Sequence, residues 1–562
     1  YTLVSHNTID NIARSAIVAN SENVTDAVKH SIRFAVNHKN MYFCQKLYHM
    51  CKISNLTDNP FTKFSAEEEL EILDSIFYKP AFYSDMRSLL IEGNSRSILG
   101  QRGQGKSVIV HKLNNDLIRK GCLPLMIHRY DGIPLTENAC FFLYKMSQAF
   151  TMELARKFVD RTLAISDVPK DLQDKFFALV EMFYDRQWAD SFIESMENIK
   201  KKKTENCIKA YLNRKLINII NPMLNNVLLI GGETIRHTIL GRSVKIHDYA
   251  MQKGVALQGF GLSEFKTLPL NKAPEIDKNG YVQILKVLMD VVKHTHLKSV
   301  VVMFDKVDEF PELKSDVKTV AAFMKDILSD TDLLYTPKFG IIFSLWSEVS
   351  RTLSNMGVRF DKFPPTDIRW NNEDMEKIIN KRLEFYSKDK NSPVSLSSLI
   401  PNSNMKSEVL KLADYSPRLL IQLLGCICSN DNREKFDAFS MDAIAKGMMQ
   451  FCKNFDYVSL RPFKTGGNSD LKDWINKLLS VRRTSFTVPE YTTITGVGKS
   501  SAYKHIESLQ RLELIRKQSI QNETGAEIYE VFDPRIIHLI SRGITNLEKK
   551  KRLLRSRAGG FS

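Results

Sequence analysis

The sequence is poor in cysteine, and the few it has follow no pattern. Eight are scattered over 562 residues with no Cys-x-x-Cys pair. Cys426 and Cys428 are two apart, a spacing that turns side chains away from each other on a helix. His294 and His296 are also two apart, with no evident third ligand. A metal centre and a disulfide framework are therefore disfavoured, and free thiols in an intracellular, cytoplasmic chain are expected. Long apolar runs are missing too. The best, Val227-Leu228-Leu229-Ile230, falls far short of the roughly 20 residues that span a bilayer, so no membrane partner is expected. No internal repeat is visible. The first residue, Tyr1, is not methionine, which leaves room for residues upstream.

What remains is ordinary for a globular chain, 43% apolar and 26% charged. At roughly 150 residues per domain the length suits three or four domains. The net charge is +16, and it is unevenly placed. Residues 461–562 hold 19 Lys and Arg against 10 Asp and Glu, more than half of the whole excess. A basic C-terminal part suggests a polyanion, most often nucleic acid. A solvated basic surface is the alternative.

Residues 1–65 read as a helical N-terminal region. Ser65 and Glu68 have the spacing of a capping box that opens the next segment. A short strand, Ser97-Ile98-Leu99, runs into a glycine-rich loop. The helix after it, Val108 to Ile118, closes at Arg119-Lys120-Gly121, two cations and a glycine as at many helix ends. Pro124 to His128 reads as the next strand. A helical insertion is expected at about 135–280, with Lys200-Lys201-Lys202-Lys203 inside it as a solvated face. His296–Asp305 and Lys338–Ser344 read as buried strands. Strands alternating with helices predict an α/β fold with a parallel sheet. The expected division is 1–65, a core at 66–371, a helical lid at 372–460, a smaller unit at 461–545 after a linker at Arg461–Gly467, and a basic tail at 546–562.

Gly100-Gln101-Arg102-Gly103-Gln104-Gly105-Lys106-Ser107 fits Gly-x-x-x-x-Gly-Lys-Ser/Thr in full. Gly100, Gly103 and Gly105 allow backbone amides, that of Gln104 among them, to approach phosphate oxygens. The helix that starts at Lys106 aims its positive end at the same anion. Lys106 supplies a cation to the terminal phosphates, and the Ser107 hydroxyl is a magnesium ligand. The expected cofactors are ATP and Mg2+. Asp305, at the end of an apolar strand, is the second expected magnesium residue. Asp308 and Glu309 are the acids that can polarise an attacking water, with Glu309 preferred.

In their order these motifs resemble the AAA+ and STAND branches of P-loop ATPases. Asp305-Lys306-Val307-Asp308-Glu309 is similar to the second motif of NACHT-type STAND proteins. It departs from the AAA+ pattern, where an acid stands at the position of Lys306. Downstream the chain resembles the origin-recognition initiator clade. That resemblance implies Ser344 as the sensor on the strand Ile341-Ile342-Phe343-Ser344. It implies Arg359 in Val358-Arg359-Phe360 as an arginine finger for a neighbouring subunit. It also implies Arg418 in Asp414-Tyr415-Ser416-Pro417-Arg418 as the lid arginine that reaches the γ-phosphate. The implied fold is an AAA+-like parallel sheet with a helical insertion, a helical lid and a C-terminal winged helix.

Residues 469–540 have the outline of a winged helix-turn-helix. Leu471–Val481 and Thr487–Thr495 would be its first helices. Ser500–Leu512 would be the recognition helix, with Ala502, Ile506 and Leu509 inward and Ser501, Lys504, His505 and Gln510 outward. Leu514–Lys517 and Glu527–Val531 would form the wing. Such domains usually place the third helix in the major groove, so Lys499, Ser500, Ser501, Lys504 and Arg516 are the expected DNA contacts. The wing acids Glu523, Glu527 and Glu530 oppose that reading, and protein docking is the alternative. The run Lys549–Arg557 could follow a nucleic-acid backbone.

The expectation is thus an ATP-hydrolysing switch, slow and partner-stimulated, that binds double-stranded DNA and works as a homo-oligomer or in a multi-protein complex. One rival is an ATPase of bacterial antiviral (anti-phage) defence whose winged helix mediates protein contacts. The other is a nucleotide-binding scaffold without turnover.

Overall fold

The computed structural model describes residues 53–183, 276–314, 316–457, 468–521 and 525–547. The expectations for residues 1–52, the tetralysine at 200–203, the run at 227–230, the linker at 461–467, Glu523 and the basic tail lie outside the described residues.

The first unit is a five-stranded, all-parallel sheet in the order β2-β3-β4-β1-β5. Its strands are β1 (Arg96–Leu99), β2 (Leu123–Ile127), β3 (Val300–Phe304), β4 (Phe339–Leu345) and β5 (Pro365–Asp367). The edges of all four sequence-read strands of this sheet shift, by one to four residues. Most of all, His296–Ser299 precede β3 rather than belong to it. Every residue of β3 and β4 is buried, because helices cover both sides of the sheet. On one face lie α1 (Tyr83–Ile91) and α2 (Lys106–Arg119), where Leu90, Ile109, Val110 and Leu113 meet Ile98, Val301, Met303 and Ile342. On the other lie α3 (Ala139–Val159), α4 (Lys170–Phe183), α5 (Lys278–Lys293), α6 (Val317–Leu328) and α7 (Ser347–Asn355). Their apolar sides meet Val300, Val302, Phe304, Ile341 and Phe343. The flanks of the expected insertion, α3 and α5, therefore form part of the layer that covers the sheet. The strand–glycine loop–helix order within this parallel sheet makes the unit an α/β P-loop NTPase fold.

The helices α8 (Asn372–Tyr386), α9 (Ser403–Leu412), α10 (Pro417–Asn430) and α11 (Met441–Asn454) occupy the segment expected as the lid and are called the lid below. At the α10–α11 contact, a side chain on Gly447 would lie 2.5 Å from the Ile427 Cα, so the two backbones touch. Residues 53–69 pack on this unit: Ser54 donates to the Phe436 carbonyl (2.9 Å), and buried Arg382 donates to Glu69 (2.8 Å).

The C-terminal unit comprises α12 (Asn468–Ser480), β6 (Ser485–Thr487), α13 (Val488–Thr495), α14 (Lys499–Arg511), β7 (Ile515–Gln521), β8 (Glu527–Val531) and α15 (Pro534–Ser541). Its antiparallel sheet runs β6-β8-β7. Three helices followed by a hairpin occupy the segment read as a winged helix. Strand β6 and helix α15 are additions that the sequence reading missed. One apolar core runs from the lid through this unit, joining Leu423, Ile427 and Met448 to Ile536 and Leu539. Among the described residues no helix is long and apolar enough to cross a membrane.

Candidate nucleotide site and C-terminal face

The loop between β1 and α2 is held from four sides. From the sheet, the Leu345 carbonyl accepts from the Gly100 amide (3.2 Å). From within, the Gln104 Oε1 accepts from the Gln101 amide (2.8 Å). From the segment after β5, the indole Nε1 of Trp370 donates to the Gln104 carbonyl (3.0 Å), and from the lid the Arg418 amide donates to the Gly103 carbonyl (3.3 Å). Gly103 and Gly105 have φ of +82° and +90°, the left-handed region where a Cβ is costly. Gly103 has a second reason to be glycine. A Cβ there would sit 2.6 Å from the Ser416 Oγ and 3.3 Å from the Arg418 Cβ. The lid is seated directly on the phosphate loop.

Lys106 opens α2 and is buried. Its Nζ donates to the carbonyls of Gly100 (2.9 Å) and Gln101 (3.2 Å), so the ammonium lies across the loop. Burial pushes its pKa down, and the charges of Asp308, Asp305, Glu309 and Glu348 oppose that shift. Ser107 follows on the first turn and is half-buried.

Asp305 directly follows the last residue of β3. It is buried, its amide donates to the Ile127 carbonyl (3.1 Å), and the Tyr130 hydroxyl donates to its carbonyl (2.8 Å). Lys306 then turns the chain into the left-handed region, at φ 58°. Its ammonium pairs with Glu67, which also pairs with His111 on α2. His111 and Lys306 together hold the Glu67 carboxyl well below the usual range, against the opposing effect of burial. The two acids that follow part company. Asp308 is buried, and burial raises its pKa while Lys106 counters the rise. Glu309 is exposed. Of the two, Asp308 acts more strongly on Lys106.

Ser344 pairs with Ile98 in the sheet and is fully buried. It lies on the same face as Ile342, towards α2, and among the described residues its Oγ has no hydrogen-bond partner. Arg418 lies on the first turn of α10, with its Cδ 3.8 Å from the point a Cβ on Gly103 would occupy. Arg359 is exposed, away from these groups, and pairs with Asp361 (2.8 Å). The fold thus brings the loop, Asp305, Asp308 and Arg418 together and leaves Arg359 on the surface. Sequence reasoning missed Trp370, Glu67 and Ser416. Trp370 stands just before α8, yet nothing in one dimension aims its indole at Gln104.

On the C-terminal unit, Lys499, Ser500, Ser501, Lys504 and Arg516 are all exposed. Tyr503 stands exposed among them. The Arg516 guanidinium lies 3.2 Å from the centre of the Phe532 ring. Ala502, Ile506 and Leu509 face inward as expected. His505 does not face outward. It is buried, stacked near Trp474 (5.4 Å) and within 3.3 Å of the Tyr491 hydroxyl, because α12 and α13 cover that side of α14. On the wing, Glu527 pairs with Lys517, and Gln518 donates to Glu530 (3.2 Å). Part of the wing's negative charge is therefore matched locally.

Cys122, Cys140 and Cys452 are free thiols. Cys428 is disulfide-bonded, which corrects the expectation of free thiols throughout; its spacing to the other cysteines carries no mark of a bridge. Among the described residues no three His, Cys, Asp or Glu side chains gather as a metal cage. Magnesium needs none, since it takes one or two protein oxygens, water and the phosphates themselves.

No protein-family model matches the chain, and no curated protein matches it. Solved structures to which it is similar include the Aeropyrum pernix ORC1 protein in complex with DNA, at 9% identity, with 84% of this chain and 96% of that one covered and a TM-score of 0.34. The Aeropyrum pernix ORC2 protein in its ADPNP–ADP complexes aligns at 12% identity, 85% and 92% coverage and a TM-score of 0.36. Drosophila ORC bound to DNA aligns at 8% identity, 89% and 91% coverage and a TM-score of 0.25. Likenesses this distant assign neither ligand nor partner; the fold rests on the sheet and the loop.

Proposed function

We propose that the chain is an AAA+/STAND-type nucleotide switch. It binds and hydrolyses ATP, and it contacts double-stranded DNA through the exposed face of α14. The observation that carries this reading is the docking of the lid on the phosphate loop, with Ser416 and Arg418 against Gly103 and Lys106 across the loop. The loop amides and Lys106 would hold the phosphates. Ser107 and Asp305 would hold magnesium, which supplies charge neutralisation on the transferred phosphoryl group. Their oxygen donors suit that ion.

Asp308 is the better placed of the two candidate acids. It is buried beside Lys106, and its raised pKa favours taking a proton from water. Glu309 stands next to it as the exposed alternative. The buried, unpartnered Oγ of Ser344 suits a sensor that hydrogen-bonds near the γ-phosphate. Arg359, exposed at the end of a turn, could serve only a second subunit, which ties that role to self-assembly. A switch of this kind couples the Arg418 contact to the nucleotide state and releases the lid on hydrolysis.

A scaffold without turnover is the second reading, favoured by Lys306 in place of an acid after Asp305. Phosphate release with and without duplex DNA, with oligomer size followed in the same samples, separates the two. Hydrolysis that fails in Asp308→Asn or Glu309→Gln supports the switch. Nucleotide uptake with no phosphate released under any condition supports the scaffold.

A further inference from the structure

The phosphate loop and the C-terminal unit are joined by a short chain of contacts through the lid. Arg535, on the first turn of α15, is buried. Its guanidinium is held by Asp533 through Nε (3.0 Å), lies 4.1 Å from the centre of the Phe455 ring, and donates through a terminal nitrogen to the Asp414 Oδ2 (3.1 Å). Asp414 belongs to the lid, in the turn between α9 and α10. A second bridge, His538 to Glu408 (2.8 Å), lies alongside and ties α15 to α9.

Asp414 and Tyr415 both have positive φ, 50° and 55°. Two consecutive side-chain-bearing residues in the left-handed region persist only where surrounding contacts hold them. Asp tolerates that region better than most residues, and here its carboxylate is anchored by Arg535. The turn delivers Ser416, whose amide donates to the Ala413 carbonyl (2.9 Å) and whose Oγ caps α10. Ser416 and Arg418 then meet Gly103. Only Tyr415, Ser416 and Pro417 stand between Asp414, held by the C-terminal unit, and Arg418, whose amide binds the phosphate loop.

We propose that Asp414 is a positioning residue. Clamped by Arg535, it fixes the left-handed turn that seats Ser416 and Arg418 on Gly103, so that the C-terminal unit sets how firmly the loop retains nucleotide. This rests on the reading that the loop binds nucleotide. Coupling between two sites is reciprocal, so a ligand that shifts α15 changes nucleotide retention, and nucleotide changes the affinity for that ligand.

The test uses the full chain. Asp414→Asn keeps a side chain that accepts the left-handed conformation but removes the charge that Arg535 grips. It raises the dissociation rate of a fluorescent ATP analogue about fivefold, the scale of one partly exposed ion pair. In a Gly103→Ala background, where the contact with Ser416 and Arg418 is already displaced, the same change adds nothing to hydrogen exchange at 100–105. Without nucleotide, Asp414→Asn speeds hydrogen exchange in peptides covering 416–420 and 100–105 and leaves α1 unchanged. An unchanged dissociation rate, or faster exchange at 100–105 when Asp414→Asn is added to Gly103→Ala, overturns the proposal. If the parent takes up no nucleotide, the reading of the loop fails separately. Hydrogen exchange then still decides the positioning role: exchange at 416–420 equal to the parent's overturns it.

Discussion

Gly103→Ala and Gly105→Ala form a matched pair that isolates the lid contact. Both force alanine into the left-handed region, at φ +82° and +90°, which costs about 1–2 kcal/mol each. Around Gly105 a new Cβ meets nothing within 4 Å, so its cost ends there. Around Gly103 it meets the Ser416 Oγ at 2.6 Å and the Arg418 Cβ at 3.3 Å. Ser416 must rotate away and give up its cap on the Leu419 amide, a loss of about 1 kcal/mol. The Arg418 amide withdraws from the Gly103 carbonyl, which removes roughly another 1 kcal/mol. In nucleotide-free protein Gly103→Ala is therefore expected to cost about 3–4 kcal/mol, against about 1–2 for Gly105→Ala. Urea unfolding reads the difference as a lower midpoint at unchanged slope. Equal midpoints for the two variants would refute the reasoning, because the lid would then not be resting on Gly103.

Gly447→Ala brings a Cβ to 2.5 Å from the Ile427 Cα, and backbone cannot swing aside. A loss of about 1–3 kcal/mol is expected, seen as a lower melting temperature that affects the lid and C-terminal core. Glu67→Gln tests the pair made with Lys306. The Glu67 carboxyl is held below its usual range, so its contribution is present above the ordinary glutamate pKa and fades as the pH falls through the folded value. The stability gap between parent and variant is therefore largest at neutral pH and narrows below about pH 4; a gap that widens on acidification contradicts the assignment. Lys504→Ala is expected to weaken duplex binding across sequences and to reduce the slope of log affinity against log salt by about 1, and a titration series at several salt concentrations checks it.

The parts legible in the sequence are those whose physics is local. The glycine loop declares itself because three glycines, a lysine and a serine must follow one another for one anion. β3 is visible because five apolar residues in a row end at Asp305. The inward face of α14 follows from the spacing of Ala502, Ile506 and Leu509. What stayed hidden depends on neighbours distant in the chain. His505 sits next to exposed Lys504 and reads as outward until the Trp474 ring and Tyr491 are laid over it. Lys306 looks like a damaged motif until Glu67, brought from before β1, pairs with it. Gly103 reads as a phosphate-binding glycine, and its contact with Ser416 belongs to the docked lid alone. Arg535 follows a proline at a helix start, and nothing in its surroundings announces Asp414. The disulfide at Cys428 likewise leaves no trace in spacing.

Titration calorimetry of ATP into the parent protein and into Lys106→Ala, both with excess magnesium, tests the central claim most directly. The account predicts saturable uptake by the parent. It predicts none by the variant, whose melting temperature stays at or above the parent's because a desolvated ammonium has been removed. No uptake by well-folded parent, or equal uptake by both proteins, would contradict it.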